Sequence, residues 1–169
     1  MSLNVRGFGG APKMLALKEL FLSVKPDIIF LQETLVDQIK ENNSFLKIYP
    51  SWTFAALDAV GNSGGVLSGW NPKIGRLEAF TMGYGILLEG LISGIPQSVS
   101  MLNVYGPYRD RVQFWSGAEE AGVLRLDSLI LGGDLNFTLN SREVCGERLP
   151  WICRLTFFGV CLRMRDLLK

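Results

Sequence analysis

The chain has 169 residues, with 17 Lys and Arg against 16 Asp and Glu, so its net charge is +1. This length suits one domain with a substantial core, and the charged share of 20% lies below the usual quarter. The sequence contains no histidine, which excludes a Ser-His-Asp or Cys-His site, histidine-ligated zinc and an imidazole base supplied by this chain.

Three further protein classes are excluded by the sequence pattern. No run reaches 18 apolar residues, which predicts no membrane partner. The N-terminus lacks the basic and apolar regions of a secretory signal. Cys145, Cys153 and Cys161 form no C-x-x-C pair, so we expect buried free thiols rather than zinc or disulfides, in a reducing, intracellular compartment.

The N-terminal part of the chain predicts a β–α–β unit. Ser2–Val5 is a short strand candidate, and the Gly-rich turn of residues 6–11 follows it. Pro12–Val24 is predicted as an amphipathic helix with Leu17, Leu20, Phe21 and Val24 on its apolar face. Asp27–Gln32 is an apolar run of buried-strand length. This order indicates an α/β fold.

The rest of the chain predicts short strands between flanking helices. Arg109–Ala121 and Pro150–Leu168 are predicted helices. The strand candidates are Trp52–Leu57, Gly65–Trp70, Ile74–Phe80, Ile86–Ser93, Ser98–Val104 and Leu126–Leu131. Their close spacing favours antiparallel hairpins, and we therefore expect an α/β sandwich built on mixed, largely antiparallel sheets.

Polar side chains follow four of the predicted strands. Asn4, Glu33, Tyr105, Asp134 and Asn136 stand at or just after strand ends, where ligands collect in open α/β sheets. Such an oxygen-rich set is typical of a Mg²⁺ site.

Each of these residues also has an ordinary interpretation. Asp134 and Asn136 fit an Asx turn, Glu33 fits a solvated first helical turn, Asn4 fits a turn cap, and Tyr105 fits a half-buried ring. The glycines of residues 7–9 resemble the start of a dinucleotide fingerprint, but Pro12 occupies the place of its third glycine. We therefore expect no nicotinamide cofactor.

Four motifs together resemble the endonuclease/exonuclease/phosphatase superfamily. They are residues 3–7 (LNVRG), 25–34 (KPDIIFLQET), 103–107 (NVYGP) and 132–137 (GGDLNF). Their order and separation are most similar to the endonuclease domain of non-LTR (LINE-type) retrotransposons, in the style of plant genomic copies.

The resemblance implies a four-layer α/β/β/α sandwich and Mg²⁺-dependent phosphodiester hydrolysis, with Mn²⁺ as a possible substitute. Glu33 and Asn4 would form the metal site, where Glu33 binds the metal and Asn4 supports that ligand and the phosphate. Tyr105 would contact the scissile phosphate. Asp134 and Asn136 would position the attacking water and hold the phosphoryl oxygens, so Tyr105, Asp134 and Asn136 are the predicted catalytic residues.

The chain also departs from that family. Members carry later strands with an Asp and a Ser-Asp-His signature, whereas this sequence ends at Lys169 and holds no histidine. We therefore interpret residues 1–169 as a single domain that lacks its C-terminal strands, inactive or nearly so, with sheet edges open to self-association. Leu3 also stands where members often have Trp.

DNA is the predicted partner, bound weakly and without sequence preference. Residues 1–147 carry a net −3 and the last 22 residues a net +4, so no overall basic footprint is present. Arg6, Lys13, Arg109 and Arg111 are the candidate contacts to backbone phosphates. An active retroelement protein of this kind would work in the nucleus.

Two other functions stay open at this point. The chain could be a non-catalytic transposon remnant or an incidental binding module. It could also be a phosphatase or lipid phosphodiesterase of the same superfamily, because the catalytic motifs are shared.

Overall fold

The computed structural model describes residues 1–7, 10–35, 47–60 and 63–136. The chain divides into two compact units, the first of Met1–Tyr105 with Ser128–Asp134 and the second of Gly106–Asp127 with Leu135–Lys169. The predicted helix at Pro150–Leu168 and the three cysteines lie outside the described residues. The prediction of one domain over residues 1–169 therefore stays a prediction.

The first sheet of the first unit contains β1 (Ser2–Asn4), β2 (Ile28–Gln32), β3 (Thr53–Val60) and β4 (Ser63–Trp70). Its strand order is β1-β2-β4-β3. β1 pairs in parallel with β2, and the other pairings are antiparallel. The α-helix α1 (Gly10–Val24) connects β1 to β2, as a parallel pair requires a crossover.

The second sheet contains β5 (Gly75–Met82), β6 (Gly85–Ile92), β7 (Val99–Tyr105) and β8 (Leu129–Asp134), in that order across the sheet. A 3₁₀ turn at Pro72–Ile74 precedes it. β7 and β8 are parallel, while β5, β6 and β7 form an antiparallel meander.

Apolar side chains pack between the two sheets and between the first sheet and α1. Phe30 and Trp70 cluster with Ile86, Leu88 and Met101 of the second sheet. On the opposite face of the first sheet, α1 buries Leu17 and Phe21 against a cluster that includes Ile29, Leu31 and Leu67. These layers confirm the predicted α/β sandwich with mixed, largely antiparallel sheets.

The apolar face of α1 is narrower than the sequence pattern predicts. Leu17 and Phe21 are 6% and 0% exposed, but Leu20 and Val24 are 36% and 52% exposed. Leu20 and Val24 each lie three positions after a buried residue, which rotates them about 60° away from it around the helix. That rotation turns them toward solvent, so their assignment to the buried face is wrong.

Strand β8 begins three residues later than predicted. A turn at residues 127–128, which follows a 3₁₀ turn at Val123–Arg125, occupies the predicted start. The strand instead runs through Gly132 and Gly133 to Asp134. Asp134 is therefore the last strand residue, paired with Tyr105 of β7.

The second unit contains helix α2 (Arg111–Glu120), two residues shorter at its start and one at its end than predicted. Asp110 precedes it in the left-handed region with φ 53°, and Gly122 follows in the same region with φ 77°, as is common where helices end. Trp115 and Ala118 are its buried residues. No helix in the described part of the chain has the length and apolar character needed to cross a membrane.

Candidate active site

Four of the predicted site residues meet within the first unit. Asn4, Tyr105 and Asp134 are the last residues of β1, β7 and β8, and Glu33 directly follows β2. β1 runs parallel to β2 and β7 runs parallel to β8, so each pair ends at a common sheet edge. Contacts between these side chains bring the two edges together.

The side-chain amide of Asn4 bridges two carboxylates. Its Nδ2 donates to Glu33 Oε1 at 2.9 Å and to Asp134 Oδ2 at 2.7 Å. Its Oδ1 accepts from the backbone N–H of Arg6 at 3.0 Å. Rotating the amide would place its oxygen against two carboxylates and its NH₂ against an N–H, so all three partners specify this orientation.

Glu33 receives a second hydrogen bond through the same carboxylate oxygen. The Tyr105 hydroxyl donates to Glu33 Oε1 at 3.0 Å. Glu33 has φ 53°, a left-handed conformation that costs a non-glycine residue about 1–3 kcal/mol. The backbone oxygen of Glu33 accepts from the Gly7 N–H, and Val5 N–H donates to Gln32 O at 2.9 Å. These bonds hold the turn that directs Glu33 toward Asn4.

A close approach between β2 and β8 brings Asp134 to the site. A Cβ atom at Gly132 would lie 2.9 Å from Cδ2 of Phe30, which is closer than carbon atoms pack. Glycine at this position lets β8 lie against the Phe30 ring, and Asp134, two residues on, reaches Asn4 on the same face of the strand. The Gly-Gly pair before Asp134 therefore has a structural function.

The donor set of the site fits a hard divalent cation. Two carboxylates share one amide nitrogen, and oxygen ligands with one or two carboxylates are what Mg²⁺ prefers. The hydrogen bonds from Asn4 and Tyr105 both go to Glu33 Oε1. In the described part of the chain, no group of three or more His, Cys, Asp or Glu is suited to hold a metal. Glu33 and Asp134 are therefore the two candidate metal ligands. Asn4 orients their carboxylates through its amide nitrogen, and the role of Asn4 as a metal ligand stays a prediction.

Lys13 and Arg6 flank the site along the chain. Lys13 Nζ donates to the backbone oxygens of Arg6 and Gly7 at 3.0 and 2.8 Å. It thereby holds the turn after β1, in which Arg6 has φ 47°. The Arg6 side chain is exposed. Their predicted contacts to phosphate stay predictions.

Three other predicted residues belong to the second unit. Asn136 Nδ2 donates to the backbone oxygen of Gly106, and Arg111 Nε donates to Pro107 O at 3.1 Å. Arg109 is exposed. The roles that the family resemblance gives to these three also stay predictions.

A set of buried polar residues beneath the site has no role that the sequence pattern predicts. Gln32, Ser68 and Asn103 are 1%, 0% and 0% exposed and lie on strands that are otherwise mostly apolar. A signal was present, because a single amide at an inward position of an apolar strand requires a partner. The sequence alone does not show which residue that partner is.

Comparison with known proteins places the chain in a family. Residues 1–150 match the model of the Endonuclease/Exonuclease/phosphatase family. No curated protein sequence gives a significant match.

Several solved structures share the fold. The AP endonuclease LMAP from Leishmania major superposes with a TM-score of 0.74 at 17% identity, over 98% of this chain and 66% of that one. Truncated Caenorhabditis elegans TDP2 superposes with a TM-score of 0.61 at 23% identity, over 88% of this chain and 64% of that one. The endonuclease domain of TRAS1, a telomere-specific non-LTR retrotransposon, superposes with a TM-score of 0.63 at 14% identity, over 97% of this chain and 70% of that one.

The chain spans slightly less than two thirds of the length of the first two structures. At these identities the likeness establishes the fold, whereas the family model covers most of the chain. This chain therefore belongs to the Endonuclease/Exonuclease/phosphatase family.

Proposed function

We propose that the protein is a divalent-metal-dependent phosphodiesterase that nicks DNA, of the type found in non-LTR retrotransposons. The observation that carries this proposal is the Asn4 amide held between the carboxylates of Glu33 and Asp134, with the Tyr105 hydroxyl on the same Glu33 oxygen. This cluster concentrates negative charge and hydrogen-bond donors at one edge, as cation-assisted phosphoryl chemistry requires.

DNA is the proposed substrate on two grounds. The four motifs resemble the retrotransposon endonucleases, and the TRAS1 endonuclease domain shares the fold over 97% of this chain. A 3′ phosphatase from Neisseria, solved with a product DNA hairpin, also shares it, with a TM-score of 0.62 at 19% identity. A DNA substrate implies work in the nucleus or another compartment that holds DNA.

Glu33 and Asp134 would hold the cation, Mg²⁺ or Mn²⁺, which when bound supplies Lewis-acid activation of a phosphoryl oxygen. Asn4 fixes the two carboxylates relative to each other through its two N–H bonds. Tyr105 fixes Glu33 through its single O–H, which would turn to a phosphate oxygen instead when the substrate binds. Asp134 would accept a proton from the attacking water, and we assign Asn136 to the phosphoryl oxygens on resemblance alone.

The 169-residue chain should nick slowly. It contains no histidine, and a positioned general acid or base is worth about 10²- to 10⁴-fold in rate. Arg6, Lys13, Arg109 and Arg111 are proposed to meet backbone phosphates, which gives weak, salt-sensitive binding without sequence preference.

A supercoiled-plasmid nicking assay tests the proposal. We expect slow conversion to open circles with Mg²⁺ or Mn²⁺, none with EDTA, and loss of nicking in Glu33→Gln and Asp134→Asn. Glu89→Gln is the matched control, because Glu89 on β6 accepts from Ser100 Oγ and takes no part in the site. Nicking by the control should equal that of the wild type.

Two results would contradict the proposal. Nicking that survives in Glu33→Gln would come from another site or a contaminant. No metal-dependent nicking at all would favour the non-catalytic remnant. Release of inorganic phosphate from a 3′-phosphorylated oligonucleotide, without nicking, would instead indicate the phosphatase alternative.

A further inference from the structure

A second polar layer lies directly beneath the candidate site and joins the two sheets. Gln32 Nε2 donates to Asn103 Oδ1 at 2.7 Å, linking β2 of the first sheet to β7 of the second. Asn103 Nδ2 then donates to Leu67 O at 2.9 Å and to Ser68 Oγ at 3.1 Å, both on β4. We call the Gln32–Asn103 pair the amide bridge.

The amide bridge is a buried, directional hydrogen bond, whereas the contacts around it are non-directional apolar contacts. Both amides are at most 1% exposed, and the neighbouring contacts between the sheets are apolar, as in the cluster of Phe30, Leu88 and Met101. Apolar packing does not fix distances at the level of a hydrogen bond, whereas a buried amide left without its partner costs about 1–3 kcal/mol. The bridge therefore favours one relative position of the two strands.

The bridge is close in sequence to Glu33 and Tyr105, one of the two pairs of site residues that contact each other across the sheets. Gln32 directly precedes Glu33, and Asn103 lies two residues before Tyr105 on the same face of β7. Gln32 also donates to Ser2 Oγ at 3.2 Å, and Ser2 lies two residues before Asn4 on β1. β7 thus ends in a residue of the site, Tyr105, and β2 is directly followed by one, Glu33.

We propose that the Gln32–Asn103 amide bridge is a positioning device that sets the spacing between Glu33 and Tyr105. Neither bridge amide touches the reacting atoms; the bridge acts through the strands that end at the site. This inference rests on the proposed function only for its effect on rate. Its structural part, the coupling of the bridge to the Glu33–Tyr105 contact, can be measured in a protein with no activity.

The decisive variant is the double replacement Gln32→Met with Asn103→Leu. Replacing both partners by apolar side chains of similar size leaves neither amide of the bridge orphaned. Leu67 O and Ser68 Oγ lose the donor at Asn103, so we expect a loss of stability of about 1–3 kcal/mol. Ile86→Val is the matched control. Ile86 is the cross-strand partner of Asn103 and 0% exposed, so this variant loosens the same interface by about 0.5–1.5 kcal/mol without touching the bridge.

The first readout is the ¹³Cζ resonance of Tyr105, assigned by its loss in Tyr105→Phe. In the wild type and in Ile86→Val, adding Glu33→Gln should shift this resonance, because the phenol donates to Glu33. In the double variant the same addition should leave it unmoved. A resonance that still responds to Glu33→Gln in the double variant would overturn the inference, whether or not the protein nicks DNA.

The second readout is the nicking rate. We expect kcat to fall about 10- to 100-fold in the double variant with KM unchanged, which is the cost of a small misplacement at a reacting centre. Ile86→Val should keep its kcat. An unchanged kcat in a double variant that has lost the Tyr105 response would also overturn the inference, since the bridge would then position nothing that matters for the rate.

The inference can still be tested if the wild type does not nick or if the double variant does not fold. If the wild type does not nick, the proposed function fails alone and the Tyr105 resonance decides the inference. If the double variant does not fold, Gln32→Asn replaces it, because an amide shortened by one methylene cannot span the 2.7 Å contact to Asn103. The same loss of the Tyr105 response is then expected, and its retention would contradict the inference.

Discussion

The residues around Glu33 carry more backbone strain than those of an ordinary strand end. Glu33 and Leu35 both have positive φ, at 53° and 55°. Between them Thr34 is fully buried, and its N–H donates to Gly65 O at 3.2 Å. Strain of this kind persists where the surroundings determine the conformation, and here Gly65 supplies part of them.

We expect Gly65→Ala to destabilise the fold more than a glycine replacement at equal φ elsewhere. A Cβ at Gly65 would lie 2.2 Å from Thr34 Oγ1, whereas one at Gly94 meets nothing within 4 Å among the residues that the structure describes. Both glycines have positive φ, +82° and +86°, so both variants lose similar conformational energy. The clash should add about 1–3 kcal/mol to Gly65→Ala, measured as the difference in unfolding free energy in urea. Equal losses would show that Thr34 moves aside at no cost.

Helix α2 contains a glycine that no packing contact with the described residues explains. Gly117 lies inside Arg111–Glu120, and a Cβ there would meet none of the described atoms within 4 Å. Glycine in a helix interior costs about 1 kcal/mol relative to alanine. Helix α2 is therefore less stable than it would be with alanine at this position.

Gly117→Ala should stabilise α2. The free energy of opening, measured by amide hydrogen exchange in residues 111–120, should rise by up to about 1 kcal/mol. Gly83→Ala is the comparison, because Gly83 also has open space around it but lies in the turn between β5 and β6. In Gly83→Ala the free energy of opening of residues 111–120 should stay within about 0.5 kcal/mol of the wild-type value. A fall in protection after Gly117→Ala would mean that α2 needs a glycine for a reason outside its own geometry.

At the scale of the whole molecule, the sequence predicts the strands well and their exact ends less well. Apolar runs such as Ile28–Leu31 are strands because both faces are covered. β8 is displaced by three residues because a turn at residues 127–128 occupies its predicted start, and nothing in the local pattern separates that turn from a strand. α1 buries Leu17 and Phe21 but not Leu20, since the width of a buried face depends on the sheet beneath it.

In the candidate site too, the sequence predicts which residues belong together but not how their side chains contact each other. The polar residues after four apolar runs, together with the family resemblance, predict that Asn4, Glu33 and Asp134 belong together. The sequence does not predict that Asn4 would contact both carboxylates through nitrogen, because this depends on Arg6 N–H occupying its oxygen. The amide bridge is equally absent from the pattern, since its partners are 71 residues apart.

If Glu33 and Asp134 hold a divalent cation, the folded protein should gain stability from it. A ligand at ten times its Kd stabilises the fold by about 1.4 kcal/mol, which raises Tm by about 3–6 °C for a domain of this size. We expect this rise with Mg²⁺ or Mn²⁺, its reversal by EDTA, and its loss in Glu33→Gln. Glu89→Gln should keep the rise, because its carboxylate is bonded to Ser100 on β7. A rise that persists in Glu33→Gln would place the cation at another site, and no rise at saturating Mg²⁺ would contradict metal binding by the folded chain.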